Sequence, residues 1–175
     1  MAVKASAYFV DCGLAYSGEA TTTLTGLDHL EGEAVDVVSN GAYLGSFTVS
    51  GGAVTLGSSV TAAFAGLNYT STIKPMKLDM RSLGIALTKK ITKAIISFYN
   101  TLGCKYGPNT DELDTVTFRE AGDPMDASPP LFTGIKELSF SGSYEREGDI
   151  VIYQDQPLPT IVRGIVLNAG LYDGA

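Results

Sequence analysis

The feature that most narrows the folds open to this chain is the way turn-forming dipeptides cut it into short, β-patterned runs. Asn40-Gly41 is the sharpest of them. Both central positions of a type I′ turn need positive φ, which Asn and Gly adopt at least cost. The dipeptide therefore predicts a tight hairpin over residues 33–49, with Ala34, Val35, Val37 and Val38 leading into it. Gly51-Gly52 predicts a second such turn, joining 46–49 to 53–56, and Gly66-Leu67-Asn68 separates a third expected pair, 60–65 and 69–73. With the apolar run 7–11 and the β-branched run 21–25, the first seventy-odd residues read as a small antiparallel meander.

Beyond Leu83 the period becomes ambiguous. Leu83, Leu87, Ile91, Ile95 and Phe98 fit one face of a helix. Within 91–100, however, Ala94, Ile96 and Phe98 alternate with Lys93, Ile95, Ser97 and Tyr99, and β-branched and aromatic residues dominate. A strand is expected over 90–100, with a helical turn around 80–87. Further strands are expected at 114–119, 135–141, 149–154 and 160–167, separated by Gly122-Asp123-Pro124, Ser128-Pro129-Pro130 and Gln156-Pro157-Leu158-Pro159. The expected fold is all-β, with antiparallel β-sandwich or barrel-like sheets and at most one short helix. It is read as a single domain over 1–175, with two subdomains, 1–73 and 74–175, as the alternative division. No repeat marks a solenoid or propeller.

Nineteen acids against twelve bases give a net charge of −7, which argues against a partner bound through overall positive charge, such as nucleic acid or an anionic membrane. Locally the sign reverses. Lys74, Lys77, Arg81, Lys89, Lys90, Lys93 and Lys105 stand against Asp79 alone, so residues 74–105 carry +6 between flanks of −5 and −8. Such a stretch can contact phosphates, pair with acidic surface on a neighbouring subunit, or be balanced within its own domain. No apolar run approaches the roughly 18 residues that span a bilayer, and the first eight residues lack a signal-peptide pattern. The chain is expected to stay where it is made.

Catalytic patterns are sparse. The sole histidine, His29, adjoins Asp28 and lies close to Glu31, but an adjacent Asp-His pair points apart in most backbones, and no serine or cysteine has a nucleophile-elbow context. His29 is read as a turn residue. Asp111, Glu112 and Asp114, and again Glu145, Glu147 and Asp149, place oxygens at short spacing that could weakly hold calcium; neither run has the glycine and distal glutamate of an EF-hand, so solvated acidic loops are the simpler reading. Cys12 and Cys104 lack zinc-knuckle or redox spacing and read as ordinary thiols. Nine tyrosines and seven phenylalanines, scattered along the chain, suit sheet edges and subunit contacts before sugar stacking. The chain is read as non-enzymatic and without a cofactor.

Several longer phrases occur in a telling order. Tyr8-Phe9-Val10-Asp11 with Gly13-Leu14, Gly26-Leu27-Asp28-His29-Leu30-Glu31-Gly32, Val49-Ser50-Gly51-Gly52-Ala53-Val54-Thr55-Leu56 and Ala65-Gly66-Leu67-Asn68-Tyr69 come first. Phe98-Tyr99-Asn100, Tyr106-Gly107-Pro108, Pro130-Leu131-Phe132-Thr133-Gly134 and Gln154-Asp155-Gln156-Pro157-Leu158-Pro159 follow. In order and spacing these resemble a segment of the tail nozzle, or tail tubular protein B-like, family of short-tailed bacteriophages and prophages. The resemblance runs over residues 8–166 and implies a later part of a longer family protein.

It implies a virion structural component: a homo-oligomeric ring that meets other tail proteins such as the adaptor and lets DNA pass without sequence-specific binding, made in the bacterial cytoplasm and located in the virion tail. A ring subunit needs complementary flanks, so Lys74, Lys77, Lys89, Lys90 and Lys93 are expected at a subunit interface. The alternative function is a phage-associated carbohydrate-binding or host-adsorption module. A cell-wall hydrolase, needing a carboxylate pair in a cleft, is the third class.

Overall fold

The computed structural model describes residues 8–77, 88–141 and 143–172. These form antiparallel sheets and one turn of 3-10 helix, Asp28–Leu30, so the chain is all-β as its turn pattern implies. The helical turn expected around 80–87 falls outside the described residues. The chain divides into two compact units, the first taking Met1–Thr70, Arg119–Leu131 and Asp155–Pro159, the second Ser71–Phe118, Phe132–Gln154 and Thr160–Ala175.

Unit 1 holds β1 (Asp11–Thr25), β2 (Ala34–Ser39), β3 (Ala42–Thr48) and β4 (Ala53–Leu67) in the order β1-β4-β2-β3. The hairpin forms where Asn40-Gly41 places it. Asn40 and Gly41 take φ of 49° and 75°, and Ser39 pairs with Ala42. The Gly51-Gly52 turn also forms, closed by a bridge between Ser50 and Ala53. The meander does not. The strand leaving that turn pairs with β1 and β2 instead of β3.

The reason lies in β4 itself. Val54, Leu56 and Val60 form a buried row that passes through Gly57-Ser58-Ser59, and Ala63 and Ala65 resume it after a one-residue shift where the pairing with β1 is irregular, so the two runs expected there are a single fifteen-residue strand. That row meets Leu24, Leu27, Val35, Val37 and Val49 in the core of unit 1, and each valine or leucine so buried stabilises the fold by about 1.5–3 kcal/mol relative to exposure.

Unit 2 holds two sheets. One contains β5 (Ser71–Ile73), β7 (Lys105–Gly107), β8 (Asp114–Thr115) and β10 (Val151–Gln154); the other contains β6 (Thr88–Thr101), β9 (Phe132–Ser139) and β11 (Val162–Tyr172) in the order β11-β6-β9. β6 confirms the strand reading over the helical one, since its buried residues alternate along most of its length. Ile91, Ala94, Ile96 and Phe98 pack with Tyr106 and Ile152 of the other sheet and with Phe118 and Phe140.

Two expectations shift. Residues 69–73 shorten to β5, which pairs with β10 and not with 60–65. Residues 114–119 shorten to β8, because Val116 and Phe118 turn into the core and leave the ladder after Thr115.

Candidate functional site

Period-two geometry sends alternate β6 side chains to opposite faces. With Lys89, Ile91, Ala94, Ile96 and Phe98 inside, the side chains of Lys90, Lys93, Ile95, Ser97 and Tyr99 fall on the outer face of the β11-β6-β9 sheet. Register then brings distant residues together. Ile95 lies between Glu137 on β9 and Val166 on β11, and Ser97 lies between Ile135 and Gly164. Ile135 and Val166 are 65% and 60% exposed, so the centre of this face is an apolar strip open to solvent.

A cation over an aromatic ring marks each end of the strip. The Arg163 guanidinium lies 4.2 Å from the centroid of Tyr99. The Lys90 ammonium lies 5.8 Å from that of Tyr144, whose ring meets Tyr172 edge-on at 6.2 Å. Lys93 Nζ reaches Glu137 Oε2 at 2.7 Å beside the strip, and this lysine holds the Glu137 carboxyl below its usual range.

The structure separates the five lysines of the basic segment. Lys74 pairs with Asp149 at 2.6 Å and Lys77 with Glu147, whose carboxylate pushes the lysine's pKa up. Lys89 is 1% exposed and lies inside the unit, its backbone bridged to Glu145 by bonds of 2.7 and 2.8 Å. Lys90 and Lys93 alone of the five reach the outer face. Glu147 and Asp149 of the acidic run thus supply counter-charge to the basic segment of their own unit, while Glu145 meets it through backbone and accepts a bond from the Ser143 hydroxyl. Asp149 also lines a cavity of about 10 Å³ with Lys89, Ser143 and Glu145, room for one water molecule.

The remaining candidates hold structure. His29 Nε2 donates to the Cys12 carbonyl at 3.0 Å, and Glu31 is occupied by the amides of Gly51 and Gly52. The Asn109 side chain accepts the amides of Asp111 and Glu112, shaping an exposed turn, and Asp114 joins β8. Cys12 is exposed and Cys104 buried, both as free thiols. Among the described residues, no three His, Cys, Asp or Glu side chains come together as a metal-ligand set. In unit 1 a hollow of about 290 Å³ is lined by Ser39, Asn40, Ser58, Val60 and Asp126, without an aromatic wall.

Sequence reasoning missed Arg163, Ile135 and Val166. The signal was present in part: the alternation within 162–167 and 132–139 sets these side chains opposite Ile165, Leu167 and Leu138, which pack on the core. What local pattern lacks is the register that places them side by side. No family model matches the chain, and no curated protein matches it.

Proposed function

We propose that this chain is a non-enzymatic structural protein of a phage virion, of the tail nozzle type, contributing to the ring or tube through which DNA leaves. The observation that carries the reading is the ordered set of phrases between Tyr8 and Pro159 that resembles that family. The structure supplies support of a general kind. An all-β chain in which Lys74, Lys77 and Lys93 are held in ion pairs, and which presents an apolar sheet face with ring-held cations, suits packing beside other subunits. Within the basic segment the subunit contact runs through Lys90, whereas Lys74, Lys77 and Lys93 have carboxylates of their own and Lys89 is interior.

The test is the mass and composition of native particles assembled with this chain. Incorporation at a fixed copy number in the tail is expected; particles that assemble and eject DNA without it would overturn the reading. A second reading, a carbohydrate-binding module, has the serine-lined hollow of unit 1 in its favour. Its hydroxyls and Asp126 suit sugar hydroxyls, but a stacking ring is missing from its walls. A glycan array run with and without chelator separates the two.

A further inference from the structure

We infer that the outer face of the β11-β6-β9 sheet docks the acidic unit of a second copy of this chain, in a head-to-tail contact. The inference deepens the structural-subunit reading and rests on it for the need of a self-contact. Its evidence is the segregation of charge between the units. Residues 1–70, 119–131 and 155–159 carry ten acids against two bases, a net −8, while the rest of the chain carries nine acids against ten bases, a net +1. Joining two copies through unit 1 on both sides would oppose −8 to −8. Setting unit 1 of one copy on unit 2 of the next removes that repulsion, and such a heterologous contact propagates to a ring or filament.

Within unit 2, two ring-held cations lie on this face. Lys74, Lys77 and Lys93 each have a carboxylate. Arg163 and Lys90 rest on rings, with no carboxylate partner among the described residues. A ring orients a cation while leaving N–H groups for an incoming carboxylate. Between the two lies the strip of Ile95, Ile135 and Val166, which a partner must cover for the contact to gain from desolvation. A nucleic acid backbone would satisfy the cations but leave that strip in water.

The test uses the full chain, followed by native mass spectrometry and sedimentation velocity up to about 100 μM, where even micromolar interfaces are populated. Species larger than dimers are expected, weakening as salt screens the charges. Arg163→Glu and Val166→Lys should each weaken association about tenfold or more with unchanged melting temperature, because both positions are exposed. A chain that stays monomeric, a species that stops at two copies, or association untouched by both variants would each overturn the inference. So would Arg163→Glu abolishing binding to a short DNA duplex while leaving self-association intact. Particle incorporation by a chain that is monomeric in solution sinks this inference alone, whereas head-to-tail oligomers from a chain absent from particles sink the virion reading alone.

Discussion

The carboxylate of Glu31 closes on the amide of Gly52 at 2.7 Å, while its other oxygen accepts the N–H of Gly51 at 2.9 Å. One side chain twenty residues away thus holds both amides of a turn whose φ angles are positive at each glycine. Those bonds, Gly52 first, lower the pKa of Glu31 below 4.5. Its contribution to folding is therefore present above pH 4.5 and lost as pH falls through the lower folded value. In Glu31→Ala, hydrogen exchange at Gly51 and Gly52 should accelerate, and stability should fall less steeply with acid than in the parent. Glu31→Gln should lie between.

Gly107 in β7 has no room for a side chain, because a Cβ there would run into the Glu112 backbone carbonyl. Gly107→Ala should cost about 1–3 kcal/mol in urea unfolding, as overpacking against rigid backbone does. Gly164→Ala is the control: nothing lies within 4 Å of a Cβ at that position, and a change of under about 0.5 kcal/mol is expected.

Phe98 sits fully buried, its ring edge-on to Phe118 at 5.1 Å between centroids. Phe98→Ala should destabilise by about 3–5 kcal/mol. At the next residue, Tyr99→Ala removes an exposed ring and should leave the melting temperature nearly unchanged while freeing Arg163 from its support.

Burial pushes the Cys104 thiol up to about 12, whereas Cys12 is exposed. The thiolate is the reactive form, so an alkylating reagent at neutral pH should label one cysteine of the native chain, Cys12, and both after denaturation. Peptide mapping of the labelled native protein checks the assignment. Fast labelling of Cys104 without unfolding would contradict its placement in the core.

Much of the fold was legible because its turns are specified locally. Asn40-Gly41 needs only its own φ preferences to make a hairpin, and β6 declares its period through Ala94, Ile96 and Phe98. Pairing partners were not legible. Whether β4 lies against β3 or β1 is decided by which neighbour completes a core with Val54, Leu56 and Val60, a long-range matter that no dipeptide records. The same limit applied to the site: residues 74–105 are visibly basic, yet only register and burial distinguish Lys90, which faces outward, from Lys89, which faces in.

The division of the chain has a practical corollary. Its backbone passes from one unit to the other five times, since Arg119–Leu131 and Asp155–Pro159 belong with the amino-terminal seventy residues. No single cleavage point yields either unit as a contiguous polypeptide. Gene shuffling or truncation at residue 70 would strip the first unit of its two later segments, so evolution and protein engineers alike must inherit or replace the pair together.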